Sequence, residues 1–168
     1  DGGYSNILHF FDVDLIDVVI QANEDTIKFG EAIPAFTATI TVGGQSLADA
    51  GLTPTDLGLD TIQFTTLPAV NFLSTTGIYV INPSANGPID IGLTEIYNYT
   101  FNNSFQEPPN PGHLIIQKMP VEITPVDKTY LFGDGIDGRD FDFTYAYDAT
   151  NINPGDTAAF RAYLRNTY

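Results

Sequence analysis

Cysteine is absent from the 168 residues, which excludes disulfides, thiolate catalysis and sulfur-ligated zinc. Tryptophan is absent too, removing the largest aromatic platform for stacking on sugar rings. Cations are scarce: six Lys and Arg face 21 Asp and Glu, for a net charge of −15. Affinity for nucleic acid comes from cations that neutralise phosphates, and anionic membrane surfaces attract basic segments, so neither partner is expected. No run of 18 apolar residues occurs, so no membrane insertion is expected, and Asp1-Gly2-Gly3 lacks the basic start and apolar run of a cleavable leader. The only histidines, His9 and His113, fall in expected terminal strands without a partner motif. A phosphate-binding glycine loop, Gly-x-Ser-x-Gly and His-Glu-x-x-His are all missing. No catalytic residue is therefore assigned and no enzyme is expected.

What the chain does contain is a repeated phrase. Val18-Val19-Ile20 leads through Glu24, Thr26 and Phe29-Gly30-Glu31 to Ile33. Val121-Glu122-Ile123, 103 residues on from Val18, leads through Asp127, Thr129 and Phe132-Gly133-Asp134 to Ile136. After a four-residue slip Phe36-Thr37 matches Phe143-Thr144, and Asp60-Thr61 with Phe64 is echoed by Asp156-Thr157 with Phe160. A fixed period signals a chain of modules, and one near 100 is too long for a solenoid unit but suits a small domain. The expected division is residues 1–17 as the last strand of a preceding module, 18–118 as a complete module, and 119–168 as the first part of a second, truncated one. The junction is placed at Met119-Pro120, because proline cannot donate to a ladder and marks an edge or a break.

Val, Ile, Thr, Tyr and Phe cluster in short runs between Gly, Pro, Asn and Asp, so the expected fold is mainly β. The architecture would be tandem small β-domains joined end to end, each an immunoglobulin-like sandwich or a β-grasp. Strands are expected over residues 11–21, 35–42, 61–66, 78–81, 95–101, 113–124, 128–132, 141–147 and 157–164. Residues 46–57 suit one or two helical turns, with Ser46 as N-cap and Gly51 and Pro54 as limits.

Gly30 and Gly133 each stand between an aromatic and an acid, which suits a turn needing positive φ with the acid closing it. Phe29, Phe36, Phe132 and Phe143 recur at matched positions and are expected in the core. The densest acidic loop holds Asp134, Asp137 and Asp140 among Gly133, Gly135 and Gly138. Hard oxygens on a glycine-permitted turn suit calcium, though Arg139 lies inside the loop and the spacing is not that of an EF-hand. A solvated turn is the other reading, and no other cofactor is indicated. Asp-Thr before an apolar residue occurs at Thr26, Thr61 and Thr157, the pattern of O-glycosylation in exported proteins of Bacteroidota.

The repeated phrase resembles the MBG domain, YGX type, a mostly-β repeat of large bacterial adhesins. The resemblance rests on Val121-Glu122-Ile123-Thr124, Asp127-Lys128-Thr129, Tyr130-Leu131-Phe132-Gly133-Asp134 and Phe143-Thr144. The first copy supplies Asp25-Thr26, Phe29-Gly30-Glu31, Pro34 and Phe36-Thr37, then Gly77-Ile78-Tyr79, Tyr97-Asn98-Tyr99-Thr100-Phe101 and Leu114-Ile115-Ile116-Gln117-Lys118. Phe replaces the family Tyr before both glycines, and the second copy carries Gly138-Arg139-Asp140 where the family has proline. The resemblance implies an extracellular, cell-surface stalk repeat without catalysis, neighbouring repeats as its partners, and surface glycans or other cells met through a distal tip. The alternative is a carbohydrate-binding β-sandwich module of a secreted protein, with Tyr79, Tyr97, Tyr99 and Tyr147 stacking on sugar.

Overall fold

The computed structural model describes residues 14–102, 112–135 and 142–167. Among these residues the alternating apolar runs fold into three open sheets, and the fold is mainly β, in keeping with a β-sandwich.

In the first sheet the central strand β1 (Ile16–Ala22) lies antiparallel to β3 (Ala38–Val42) and parallel to β7 (Tyr97–Asn102), with the short β4 (Gln45–Ser46) beyond β3. Period-two alternation puts Val18, Ile20, Ile40 and Val42 on one face. That face is buried with Leu57 and Leu59, and Tyr97, Tyr99 and Phe101 pack half-buried around it. Leu57 comes from a 3₁₀ turn, Thr55–Leu57, that follows the short helix α1 (Leu47–Ala50). Ser46 caps α1 through its hydroxyl and Gly51 ends it in the left-handed region, as the sequence implied.

The second sheet runs β2 (Asp25–Lys28), β8 (His113–Gln117), β6 (Gly77–Ala85), β5 (Ile62–Leu67), with a one-turn helix, α2 (Ile91–Thr94), between β6 and β7. Its core holds Ala22, Ile27, Tyr79, Ile81, Leu114 and Ile116, with Phe29, Phe36 and Phe64 partly buried against it.

The run expected as one strand over 113–124 is split. β8 ends at Gln117, and β9 (Val121–Pro125) opens a separate ribbon with β10 (Phe143–Tyr147). Pro120 falls in the gap, where its missing N–H is harmless. The ribbon repeats the β1–β3 pairing: Val18 faces Val42 and Ile20 faces Ile40, while Val121 faces Tyr147 and Ile123 faces Tyr145. Val42 and Tyr147 are 105 residues apart while Val18 and Val121 are 103 apart, so the copies differ by a slip of two residues here, not four.

Four expectations are corrected. The ladder sets Phe143 opposite Pro125, in the place that Ala38 holds opposite Ala22, and Phe143 is half-exposed rather than core. Phe132 is wholly exposed, and residues 128–132 form no strand. In the first copy the matching segment β2 is held by its parallel partner β8, and no equivalent of β8 pairs with 128–132 among the described residues. Residues 157–164 lie in a helix, α3 (Thr157–Thr167), not in a strand. Their counterpart in the first copy, β5, exists by pairing with β6. With no such ladder among the described residues, a run with three Ala and two Arg satisfies its own backbone as helix and buries Phe160 and Leu164, one turn apart, on one face.

Candidate functional site at the junction of the two copies

Each copy of the Phe-Gly-acid phrase builds the same turn. In the first, the Glu31 N–H donates to the Lys28 carbonyl at 3.0 Å and the Lys28 N–H donates to the Glu31 carboxylate at 2.6 Å. In the second, the Asp134 N–H donates to the Leu131 carbonyl at 3.0 Å and the Leu131 N–H donates to the Asp134 carboxylate at 2.9 Å. Between them Gly30 and Gly133 sit at φ 91° and 99°, a region costly for any side-chain-bearing residue. The acid closes the turn and the glycine permits it, as the sequence implied.

The surroundings of the two turns differ. Around the first, Phe29 reaches out of its own sheet to α3, its ring centroid 5.9 Å from Phe160 and 5.2 Å from Tyr163. Gly30 donates its N–H to the Phe72 carbonyl at 3.0 Å and lies so close to Phe160 that an added Cβ would stand 2.4 Å from the ring's Cε2. Glu31 is only 5% exposed; its second oxygen accepts from the Asn151 side-chain amide at 3.2 Å. Ala32 donates its N–H to the Asn151 carbonyl at 2.9 Å. A buried carboxylate costs heavily unless its oxygens are satisfied, and here both accept a hydrogen bond. Met119, Ile152, Phe160 and Leu164 form a buried cluster of their own, joined by Phe29, Phe72 and Leu73 from the first copy and Val121 and Tyr147 from the second. The Tyr147 ring meets Phe160 edge-on at 5.1 Å.

At the rim, Lys28 pairs with Asp148 at 3.3 Å. Hydrogen bonds from Thr150, and then the Lys28 ammonium, hold the Asp148 carboxyl down at about 2. Both side chains are well exposed, so solvent screens the pair and the apolar cluster carries the contact.

The second turn has no such neighbours among the described residues. Phe132 and Leu131 are exposed, and a Cβ on Gly133 would meet no atom within 4 Å.

The other expected site residues lie apart from this junction. Asp134 closes its own turn, Asp137 and Asp140 lie outside the described residues, and no group of three His, Asp or Glu is arranged for a metal among the described residues. Thr26 and Thr61 are exposed, whereas Thr157 is half-buried and its hydroxyl donates to the Asn153 carbonyl at the start of α3. Phe36 packs edge-on to Phe64 at 6.3 Å, in the second core. The tyrosines considered for sugar stacking are engaged internally. Tyr79 is buried with its hydroxyl on the Thr75 carbonyl, and Tyr99 donates to the Leu57 carbonyl, its burial raising its pKa. Tyr97 packs on Tyr99, and Tyr147 on Phe160.

Sequence reasoning missed Asn151, Phe160 and the α3 face. The available signal was Asn153-Pro154-Gly155-Asp156 before Phe160 and Leu164, a turn followed by apolar residues one helical turn apart. No helix among the described residues is long and apolar enough to cross a membrane. No family model, curated protein or solved structure matches the chain.

Proposed function

We propose that the chain is a piece of a tandem-repeat stalk: a spacer of a large cell-surface adhesin or filament, whose modules hold a distal tip away from the cell. The observation that carries this reading is the junction. Only Lys118-Met119-Pro120 separates β8 from β9, and Met119 is itself buried in a cluster to which both copies contribute. A joint packed in this way is stiff, which a spacer needs and a flexible tether lacks. Support comes also from the turn geometry common to the two copies, which fits a unit used more than once. The acidic surface suits neighbouring stalks that must not stick to one another. In this reading, which the MBG-like features support, the protein works outside the cell as part of a bacterial adhesin, in a member of the Bacteroidota or a similar bacterium, and acts without catalysis.

The carbohydrate-binding alternative is less favoured, because Tyr79 and Tyr99 donate their hydroxyls to backbone carbonyls and Tyr97 and Tyr147 pack edge-on against neighbouring rings. A glycan array probed with this chain tests the choice. The stalk reading expects a blank array; saturable binding to one glycan, abolished by Tyr97→Ala, would overturn it.

A further inference from the structure

The whole chain has six Lys and Arg, and two of them stand one helical turn apart on α3. Arg161 and Arg165 line an open cleft of about 400 Å³ between α3 and β10, together with Tyr145, Tyr147, Ala149 and Leu164. Both arginines are exposed. Like charges four residues apart on a helix repel, so each should attract one of the 21 acids. Among the described residues neither makes an ion pair; the pairs there join Lys28 to Asp148 and Lys128 to Asp142. Asp142 and Asp148 flank β10, so the carboxylates at its two ends are already answered by lysines. Arg161 donates through Nε to the Tyr147 hydroxyl at 3.4 Å, which steadies its stem and leaves the terminal nitrogens without an acceptor among the described residues. The dipole of α3 favours Arg165 in the last turn but does not reach Arg161.

We propose that the cleft between β10 and α3 binds an extended acidic peptide segment, which sets two carboxylates at alternate positions on the two guanidinium groups. Charge selects the ligand and spacing selects its form. Residues four apart on a helix rise by about 6 Å. Residues two apart on a strand are separated by about 6.6 Å and point the same way. The residue between the acids points away, so an acid-x-acid run is read without regard to its centre. A guanidinium grips a carboxylate through two parallel N–H donors, and Arg161 keeps its terminal pair for that purpose. The net charge of −15 opposes an acidic ligand at long range, but screening over about 8 Å at physiological salt leaves the contact pairs to decide. This site goes beyond the spacer reading and stands apart from it.

The test titrates the ¹⁵N-labelled chain with a capped five-residue peptide, aspartate at its second and fourth positions and alanine elsewhere. Saturable shifts are expected at the side-chain Nε–H of Arg161 and Arg165 and at the amides of Tyr145 and Tyr147. Affinity should fall about tenfold or more with asparagines in place of the aspartates, and likewise in Arg165→Gln, whose exposed side chain leaves packing untouched. A peptide with its two aspartates adjacent should bind more weakly than the alternating one. Absence of saturable shifts, equal binding by the asparagine peptide, or no loss in Arg165→Gln overturns the proposal. So do shifts as large at Lys28, Lys118 and Lys128, which would report general attraction, and a short oligouronate that binds more tightly than the peptide.

Discussion

Replacing each turn glycine by alanine separates what the junction contributes from what the turn alone demands. Gly30 and Gly133 have nearly the same φ, 91° and 99°. Alanine at either position therefore suffers a similar backbone penalty of about 1–2 kcal/mol, partly offset by about 0.4–1 kcal/mol from the stiffer unfolded chain. Those terms cancel in the comparison. At Gly133 nothing else changes, because the new methyl meets open space. At Gly30 the methyl would stand 2.4, 2.8 and 2.9 Å from three carbons of the Phe160 ring. Phe160 is fully buried between Phe29 and Tyr147, so its ring has nowhere to withdraw, and overpacking of this kind costs about 1–3 kcal/mol. Gly30→Ala should thus be the more destabilising by about 1–3 kcal/mol. Urea unfolding followed by circular dichroism, with amide exchange at Phe160 as the local probe, measures the difference. Equal losses for the two variants would mean that the first turn does not press on α3, and the junction as described would be wrong.

Phe160→Ala removes the centre of the junction cluster and should cost about 3–5 kcal/mol there, while exchange protection at Val18, Ile20 and Leu114 in the other two cores stays near wild type. Glu31→Ala leaves the Lys28 N–H and the Asn151 amide without their acceptor and should cost about 1–3 kcal/mol; Asp134→Ala, at an exposed turn, should cost less, and a denaturant series on both ranks them. The Asp148 carboxyl lies below its unfolded value near 3.8, so the stability it lends is present above about pH 4 and is lost as pH falls through about 2. A carboxyl NMR titration of Asp148, read with the Thr150 amide that donates to it, should show the midpoint near 2 in wild type and a higher one in Lys28→Met.

Much of the fold was legible because local chemistry decides it. The alternation from Ala38 to Ile40 and on to Val42 fixes a half-buried strand whatever surrounds it, and Ser46 and Gly51 frame α1 by capping alone. The acid-closed glycine turns are likewise local, since every bond within residues 28–31 and 131–134 spans three positions. What was misread depends on partners far away in sequence. Residues 25–28 are a strand because β8, almost ninety residues on, pairs with them; the matching residues 128–131 lack such a partner among the described residues, and the same pattern stays irregular. Residues 157–164 carry an echo of β5, but helix propensity prevails where no β6 is paired beside them. The recurrence of Phe29 and Phe132 suggested a core residue. Recurrence reports a shared role, and in the first copy that role is to lie across the junction as well as on the core.

The account turns on a stiff joint, and ¹⁵N relaxation of this chain tests that most directly. A packed junction predicts that the amides of β9, β10 and α3 tumble with the same rotational correlation time as those of β1 and β8. A shorter correlation time for β9, β10 and α3, the behaviour of flexibly tethered units, would contradict it.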